Sequence, residues 1–217
     1  MDRFYHYEGK LATYPIITFL AKHSHTCYGM LLDIGCGNKP YKKIFSYIEK
    51  YVGIDRIGGK ADIVADVKFL PIDSHSTDIV LCNQVLEHDR EPNSIVAEIS
   101  RVLKKNGQLI LSAPQMGRLH GEPDDYYRFT KYGLCYLLEQ NGFTVEVIEA
   151  HGGIFRALGS HVNFFIIEYF GKSEYLKNAL RYTIITLNNF VFALLDRLMP
   201  WQKDTLGYNL IAKKHSD

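Results

Sequence analysis

The chain has 217 residues, and its 25 basic and 24 acidic side chains leave a formal charge of +1 at pH 7. This length and an apolar fraction of 47% suit one α/β domain with a core of ordinary size. A charge so close to zero argues against a nucleic-acid partner, because sequence-independent binding needs many cations against phosphates. The 4 cysteines form no Cys-x-x-Cys pair, so we expect reduced thiols and neither a disulfide framework nor a metal site.

The sequence carries no pattern typical of export or membrane insertion. Residues 1–7 lack the apolar run of a secretory signal peptide. The most apolar stretch, residues 183–199, is interrupted by polar and charged side chains, whereas a membrane span needs about 20 apolar residues in a row. We therefore expect a cytoplasmic protein.

Short apolar runs alternate with helical patterns through the first two thirds of the chain. The apolar runs predict five strands, at residues 30–34, 51–55, 63–66, 78–83 and 108–113. Helical spacing predicts three helices, at about residues 40–50, at 94–105 with Asn106-Gly107 as the stop, and at 130–140 with Thr130 as N-cap. Alternating residues predict two more strands, at 143–148 and 208–212. This order predicts an α/β protein with an open, doubly wound, mostly parallel sheet, whose ligands bind beyond the carboxyl ends of the strands.

The turn after the first predicted strand favours a cationic ligand. Gly35 and Gly37 allow a tight turn at which a ligand can approach the backbone. A dinucleotide-binding turn would carry a third glycine where this chain has Pro40. Asp33 places a carboxylate at the same turn, and a carboxylate repels a pyrophosphate but attracts an ammonium or sulfonium group. The turn therefore favours a cationic nucleoside over NAD.

Two more aspartates follow the next predicted strands. Asp55 lies about 20 residues after the glycine turn, a spacing at which an acidic side chain accepts hydrogen bonds from a ribose diol. Asp66 ends the third strand, where its carboxylate can accept a hydrogen bond from an adenine amino group while Val67 packs on the ring. Each aspartate alone is more often structural, but three at successive strand ends predict a nucleoside site.

These residues lie in segments that resemble the class I S-adenosyl-L-methionine (SAM)-dependent methyltransferases, in particular the group that includes quinone-biosynthesis methylases. The resemblance covers residues 28–150 and the last strand. It rests on five segments: Leu32-Asp33-Ile34-Gly35-Cys36-Gly37, Val52-Gly53-Ile54-Asp55, the run from Ala65 to Asp73, the run from Asp78 to His88, and the run from Glu98 to Gly107. It implies a seven-stranded Rossmann-like fold and SAM as the cofactor.

The resemblance assigns a set of residues to the cofactor. The set is Asp33, Gly35, Cys36, Gly37, Asp55, Arg56, Asp66, Val67, Asn83, Gln84 and His88. The glycine turn and its aspartate would hold the methionine end, the second aspartate the ribose, and Asp66 with Val67 the adenine. Asn83 and Gln84 would line the methyl side. His88 is either a site residue or a loop histidine that caps a helix.

A long loop, residues 114–130, follows the fifth predicted strand and is rich in His, Asp, Tyr and Arg. Loops of this length at the ligand-binding edge often form substrate walls or lids. Its Asp-Tyr-Tyr-Arg-Phe-Thr stretch resembles a subset of these methyltransferases from sugar and surface-polysaccharide pathways. We expect the loop to supply the substrate-binding residues, namely Gln115, Asp124, Asp125, Tyr126 and Arg128. The structural alternative is that Arg128 pairs with Asp124 or Asp125 and braces the loop.

Two histidines are candidates for a catalytic base. An oxygen nucleophile of high pKa needs a base within hydrogen-bond reach, whereas alignment alone can serve an activated carbon acid or a phenol. His120 in the long loop and His151 just after the sixth predicted strand should both lie at the ligand-binding edge. A non-catalytic role stays open for each.

We predict a single domain over residues 1–217. Its parts are an N-terminal cap segment at 1–27, the SAM-binding core at 28–150, a helical insertion at 152–206 and the last strand at 207–213. The insertion has two apolar patches at helical spacing with basic residues between them. It predicts a helical cover over the substrate site, a homodimer face, or a patch that docks peripherally on a membrane to reach a lipid-linked substrate.

Together these patterns predict a SAM-dependent methyltransferase that acts on a small molecule or a glycan, at oxygen. The alternatives are a carbon methyltransferase on a quinone or lipid-like ring, and a SAM-binding scaffold without catalysis. The polar side chains of the long loop favour a sugar or phosphate-bearing acceptor, whereas the apolar insertion favours a lipid-like one.

Overall fold

The computed structural model describes residues 9–215, and its centre is a seven-stranded sheet. The strands are β1 (Gly29–Ile34), β2 (Ile48–Asp55), β3 (Ile63–Val64), β4 (Thr77–Asn83), β5 (Leu103–Pro114), β6 (Phe143–Ala150) and β7 (Gly207–Lys214). They lie side by side in the order β3-β2-β1-β4-β5-β7-β6. Strands β1 to β5 pair in parallel, and β7 runs antiparallel to both β5 and β6. The predicted doubly wound, mostly parallel sheet is confirmed.

Helices cover both faces of this sheet. They are α1 (Lys10–His23), α2 (Pro92–Val102), α3 (Lys131–Glu139), α4 (Ile154–Phe170), α5 (Glu174–Leu180) and α6 (Thr186–Leu198). Alternate residues of a strand point to opposite faces, so Leu31 and Leu32 of β1 belong to two different buried clusters. Ile99 of α2 and Leu134 of α3 complete the cluster on one face, and Phe19 of α1 completes the other.

The helix predicted at residues 40–50 is wrong. Only Lys42–Ile44 form a short 3-10 turn, and β2 already begins at Ile48. Phe45 still belongs to the buried cluster that contains Leu31 of β1, and Tyr41 packs against that cluster. The following residues extend β2, where Ile48 pairs with Gly29. Ladder hydrogen bonds with a neighbouring strand therefore take precedence over the helical spacing.

The end predicted for the second helix is also wrong. Helix α2 begins with Pro92 at its first turn and ends at Val102, three residues before the predicted end. Leu103 is extended and pairs with Thr77 of β4, so the chain passes directly from helix to strand. Asn106 has a positive φ of 60°, within β5 rather than at a helix end. The prediction for α3 is confirmed at its start, where the side chain of Thr130 accepts a hydrogen bond from Gly133 N at 3.1 Å.

The helical insertion before the last strand is confirmed, and its two ends are fastened together. Near the end of α6, the buried carboxylate of Asp196 accepts a hydrogen bond from Gly153 N at 3.0 Å. The same carboxylate lies 3.3 Å from Arg156 Nε. Ile154 N donates to Trp201 O at 3.0 Å. The insertion therefore leaves the sheet after β6 and returns at the same place to enter β7.

Some predictions fall at or beyond the limits of this description. Residues 1–7, where we looked for a signal peptide, lie outside the described residues, as does part of the predicted cap segment at 1–27. The described part of that segment contains α1. Among residues 9–215, no helix is both long and apolar enough to cross a bilayer. The division into parts of a single domain stays a prediction.

Candidate active site

A cavity of about 620 Å³ lies where the carboxyl ends of β1 and β4 meet the helical insertion. Nine of the predicted site residues line it: Asp33, Gly35, Cys36, Gly37, Asn83, Gln84, His88, His120 and His151. The other nine do not: Asp55, Arg56, Asp66, Val67, Gln115, Asp124, Asp125, Tyr126 and Arg128. A second cavity, of about 490 Å³, lies at the opposite edge of the sheet between the beginnings of β4 and β5. The first cavity is at the edge where ligands of parallel sheets bind.

The glycine turn after β1 is held in shape by Asp55. Gly35 and Gly37 have positive φ angles of 67° and 50°, which side chains rarely adopt. A Cβ atom on Gly35 would lie 2.5 Å from a methyl group of Val85, whereas a Cβ on Gly37 would meet nothing within 4 Å. Asp55 at the end of β2 accepts hydrogen bonds from Gly37 N at 2.9 Å and Ile57 N at 3.0 Å. Asp55 therefore shapes the turn from behind, with the open space of the cavity in front.

Asp33 is a buried carboxylate at the floor of this turn. It is 2% exposed and accepts a hydrogen bond from the Tyr51 hydroxyl at 2.5 Å. Burial raises the pKa of the Asp33 carboxyl to about 7, against the opposing effects of the Tyr51 hydrogen bond and of Lys39. Lys39 does not neutralise it directly, because its ammonium group pairs with Asp62 at 2.5 Å. A cationic ligand would favour the ionised form of Asp33.

The residues predicted at the ribose and adenine lie at or just after the ends of β2 and β3, on one side of the sheet. Arg56 follows β2 and pairs with Asp124 of the long loop at 3.0 Å, which links two separate segments. Asp66 is exposed and accepts a hydrogen bond from Lys68 N at 2.9 Å. Val67 is half-buried and packs against the core. Their predicted contact with a nucleoside stays a prediction.

Asn83 and Gln84 lie at the end of β4, beside the turn. Asn83 lines the cavity, and among the described residues its buried Nδ2 has no hydrogen-bond partner. Gln84 adopts a positive φ of 54°, and its Nε2 donates to the Ser112 hydroxyl at 3.1 Å. An unpartnered buried amide at a cavity wall indicates a polar ligand, because such a group is costly to leave unpaired.

The long loop is braced by a paired arginine and aspartate. Arg128 donates to both carboxylate oxygens of Asp125, at 2.6 and 2.8 Å, and this pair lowers the pKa of the Asp125 carboxyl. Asp125 also accepts a hydrogen bond from His120 N at 2.9 Å. Backbone N–H groups of Tyr126 and Tyr127 donate to Glu87 O, which ties the loop to the end of β4. The structural alternative for Arg128 is thus realised, and a substrate-binding role of these residues stays a prediction.

His120, His88 and Glu87 lie together at the wall of the cavity, and we call them the Glu87 cluster. Glu87 Oε1 lies 3.9 Å from His88 Nε2 and 3.9 Å from His120 Nε2. The two rings meet edge to face, with centroids 4.8 Å apart. Burial lowers the pKa of His120, and burial raises the pKa of Glu87 to about 8. The sequence analysis missed Glu87, although a charged residue directly between Leu86 and His88 after a buried strand is a signal for it.

His151 lines the same cavity but is held by its neighbours. It is 3% exposed, and its Nε2 lies 2.8 Å from Asn209 Oδ1 on β7. Since a carbonyl oxygen only accepts, Nε2 carries the hydrogen. Burial lowers the pKa of His151 to about 4, despite that hydrogen bond and another to the backbone of Tyr208. His151 is neutral at pH 7, and its role as a base stays a prediction.

Gln115 makes contacts beside the cavity rather than in its wall. Its Oε1 accepts a hydrogen bond from the Tyr208 hydroxyl at 2.6 Å, and its Nε2 donates to Lys203 O at 3.0 Å. The insertion supplies wall residues that the sequence analysis did not nominate: Ser160, His161, Phe164, Ile167, Glu168 and Arg181. Phe165 and Tyr169, which belong to the apolar pattern predicted for the insertion, are exposed instead, so that pattern did not point to these wall residues.

Comparison with known proteins agrees with this geometry. Residues 32–111 match the family model described as a methyltransferase domain. The matched segment contains the end of β1, the glycine turn, β2 to β4 and most of β5. A curated relative, the ubiquinone biosynthesis O-methyltransferase of Neisseria meningitidis serogroup A, is 24% identical over 115 residues. That match covers 44% of this chain and 48% of the relative, so the chain aligns with about half of the relative's length.

Solved structures share the fold of this chain at low sequence identity. The [4+2]-cyclase SpnF superposes with a TM-score of 0.63 at 18% identity, over 93% of this chain and 80% of that one. The 1,6-didemethyltoxoflavin-N1-methyltransferase of Burkholderia thailandensis, with S-adenosylhomocysteine bound, gives 0.60 at 17% identity, over 94% and 79%. The phosphoethanolamine N-methyltransferase 2 of Haemonchus contortus, in complex with SAM, gives 0.59 at 14% identity, over 99% and 58%.

The cavity fits the cofactor of this family. Gly37 borders open space that a side chain would fill, and Asp33 offers a carboxylate to a cation. The unpartnered amide of Asn83 offers a donor to a carboxylate or hydroxyl of the ligand. Bound in this family's manner, SAM presents a methyl group on a sulfonium centre, whose leaving group is neutral.

A methyl group added to Gly37 should weaken cofactor binding without unfolding the methyltransferase. Gly37→Ala adds a Cβ to the open space of the cavity, so we expect the dissociation constant for SAM to rise about tenfold or more, by the 1–2 kcal/mol that a lost close approach costs. Gly142→Ala is the matched control, because Gly142 also has a positive φ, of 78°, and open space, but lies outside the cavity wall. Calorimetric titration with SAM measures both variants. Equal affinities in the two would contradict the placement of the cofactor.

The protein should become less stable as the pH falls, because His151 takes up a proton more readily in the unfolded chain. The unfolded histidine takes up a proton near pH 6.5 and the folded one only near pH 4, so acid favours the unfolded chain across that window. Between pH 7 and pH 4.5 the wild type should lose about 2 kcal/mol more unfolding free energy than His151→Gln. Urea denaturation at both pH values measures the difference, with the exposed His25→Gln as control. Parallel losses in the wild type and His151→Gln would show that His151 is accessible to protons in the folded state.

Proposed function

We propose that the chain transfers the methyl group of SAM to an oxygen atom of a small-molecule acceptor bound in the cavity. The observation that carries this proposal is the position of His120. His120 lines the same cavity as the glycine turn. The name of the Neisseria relative, an O-methyltransferase of ubiquinone biosynthesis, supports oxygen as the methylated atom.

In this proposal the sheet edge holds the cofactor. Asp33, Gly35 and Gly37 hold its methionine end, as their place in the cavity supports. Asn83 and Gln84 lie beside the methyl group. Asp55 would reach the ribose with oxygen lone pairs that its two backbone hydrogen bonds leave available, and Asp66 with Val67 would meet the adenine.

His120 activates the acceptor in this proposal. Methylation of a hydroxyl forms a C–O bond, breaks the bond between methyl carbon and sulfur, and releases the hydroxyl proton. A hydroxyl of high pKa therefore needs help to lose its proton. His120 Nδ1 lies 3.2 Å from Arg118 O, so Nδ1 donates to this carbonyl and Nε2 keeps its lone pair. That lone pair is available to act on the acceptor.

The insertion forms the acceptor side of the cavity. Phe164 and Ile167 of α4 give this wall apolar surface, while His161 and Glu168 give it polar groups. Arg118 of the long loop pairs with Glu168 and lies over the Phe164 ring, 4.1 Å from its centroid, which joins loop and insertion. A helical cover over the substrate site is the role of the insertion that these contacts support. A glycan acceptor remains within the proposal, since the wall is partly polar.

A carbon methyltransferase on a quinone or lipid-like ring is the second candidate. The apolar wall of α4 favours it, and an activated ring carbon needs no residue to take a proton. A SAM-binding protein with another role is the third. The cyclase SpnF has the same fold, so the fold alone does not decide the reaction.

The outer face of the insertion carries exposed apolar side chains, on which the predictions of membrane contact and of a homodimer rest. They include Phe165, Tyr169, Phe190, Leu194 and Leu198. These side chains are not among those that line the cavity, so neither prediction is needed for the proposed reaction. Both stay predictions.

Calorimetric titration with SAM, S-adenosylhomocysteine and NAD, followed by an acceptor screen, tests the proposed function. We expect the two adenosyl ligands to bind and NAD not to bind. Release of S-adenosylhomocysteine is then measured with phenols, sugars and quinones as acceptors. Turnover of hydroxyl compounds supports O-methylation, and turnover of ring carbons alone would replace it with the second candidate. SAM binding without turnover of any acceptor would favour the scaffold.

Removal of the His120 imidazole should affect turnover more than cofactor binding. We expect His120→Ala to lower kcat by about 100-fold or more, the range found for a group that assists proton transfer. The dissociation constant for SAM should change little, because other residues hold the cofactor. The exposed His25→Ala is the control. Equal losses of turnover and of SAM affinity would place His120 at the cofactor instead.

A further inference from the structure

The Glu87 cluster brings three metal-ligating side chains within reach of one ion. One ligand atom from each of Glu87, His88 and His120 lies within 4.8 Å of the other two. Glu87 and His88 are neighbours on the 3-10 turn Leu86–His88, which follows β4. His120 belongs to the long loop that follows β5 in the chain. The fold therefore assembles the cluster from two separate segments.

The carboxylate of Glu87 is without a partner of its own. The side chain is fully buried, and among the described residues neither carboxylate oxygen has a hydrogen-bond partner. The nearby Arg128 acts on Glu87 through its charge but makes no hydrogen bond to it: its two terminal nitrogens are engaged with Asp125 and with backbone carbonyls, and among the described residues its buried Nε has no hydrogen-bond partner. A buried carboxylate in this state is strongly unfavourable unless a cation compensates it.

The two histidines are oriented as metal ligands are. His88 Nδ1 lies 2.5 Å from Asp124 O, and His120 Nδ1 lies 3.2 Å from Arg118 O. Because a carbonyl oxygen only accepts, each Nδ1 carries the hydrogen and each Nε2 keeps a lone pair. Both Nε2 atoms lie 3.9 Å from the same oxygen of Glu87. Histidine ligands of metals characteristically donate their second ring nitrogen to a carbonyl or carboxylate in this way.

We propose that Glu87, His88 and His120 bind one divalent cation of the Mn²⁺ to Zn²⁺ series. Bonds of about 2.1 Å from one ion can span ligand atoms up to about 4.2 Å apart, so the 3.9 Å separations allow a shared ion. Tetrahedral angles set ligand atoms about 3.4 Å apart, so binding would draw the 3.9 Å pairs together by about 0.5 Å and a pair at 4.8 Å by more than about 1 Å. Two imidazoles and one carboxylate suit this series, whereas Mg²⁺ and Ca²⁺ prefer oxygen ligands alone.

The ion would meet the acceptor on the cavity side. His88 and His120 line the cavity and Glu87 lies behind them, so the remaining coordination positions face the cavity. Three protein ligands leave at least one position for an oxygen atom, as in catalytic metal sites. This part of the inference rests on the proposed function: the acceptor hydroxyl oxygen takes that position, and its proton passes to solvent water as the ion lowers its pKa. The Nε2 lone pair of His120 is then a metal ligand, so with the ion bound the ion replaces His120 as the group that helps the acceptor lose its proton.

Titration of the EDTA-treated and dialysed full chain with Mn²⁺ tests the site, with free Mn²⁺ followed by electron paramagnetic resonance. Mn²⁺ is the probe because it binds cysteine thiols weakly, so the free cysteines of the chain do not take it up. We expect one ion per chain, and a loss of affinity of about 100-fold in Glu87→Gln, His88→Ala and His120→Ala. His161→Ala is the matched control: His161 also lines the cavity and its Nδ1 contacts Ala157 O at 2.8 Å, but it lies outside the cluster. Its affinity for Mn²⁺ should equal that of the wild type.

Thermal denaturation separates loss of the site from loss of the fold. Glu87→Gln replaces the buried carboxyl group with a neutral amide of the same shape, so in EDTA it should melt near the wild-type temperature while losing the rise in melting temperature that Mn²⁺ gives. Absence of Mn²⁺ binding to the wild type at millimolar concentration, or unchanged binding by Glu87→Gln, would overturn the proposal. Calorimetry with SAM on the same metal-free protein tests the proposed function separately, because Asp33, the glycine turn and Asn83 lie outside the cluster.

Discussion

The parallel pairing of β1 with its neighbours β2 and β4 decides where the functional side chains lie. Ile34, the last residue of β1, pairs with Ile54 on one side and Cys82 on the other. The turn that follows is therefore flanked directly by Asp55 and Asn83. A slip of one residue in either pairing would turn these side chains to the other face of the sheet. The apolar residues on both faces of β1 fix this register, because each belongs to a buried cluster.

The other half of the site depends on backbone contacts between loops. Glu87 O accepts hydrogen bonds from the N–H groups of Tyr126 and Tyr127, and His88 contacts the carbonyl of Asp124. These contacts draw the long loop over the end of β4 and bring His120 to the cavity wall. The site thus combines a rigid sheet edge, which suits an invariant ligand, with loops and helices that suit a variable one.

The sheet and the glycine turn are predictable from the sequence because local patterns determine them. Apolar runs give the strands, and paired glycines after a strand give the turn. The helix expected at residues 40–50 fails because Ile48 pairs with Gly29, a contact that local spacing does not contain. The same reason explains the early end of α2, where Leu103 joins the sheet beside Thr77.

The sequence predicts many of the residues that belong to the site, but it predicts less well which of them contact one another. Sequence position nominates His120 and His88, yet their meeting with Glu87 depends on the path of a 17-residue loop, residues 114–130. The partners of Arg128 are likewise settled by loop geometry: it binds Asp125, which has Asp124 as its neighbour in the sequence. Charged residues in one loop have several possible pairings of similar energy, and only the fold selects among them.

The fastening of the insertion at its two ends has a consequence for how such a chain can change. The Asp196 carboxylate joins the end of α6 to Gly153, where the insertion begins, so the two ends of the insertion lie together. Lengthening a segment whose ends already meet costs little entropy, about 0.6 kcal/mol for each doubling. Helices can therefore be gained, lost or exchanged between β6 and β7 while the cofactor half stays as it is. The wall that the insertion adds to the cavity can thus vary independently of the sheet edge that carries the glycine turn.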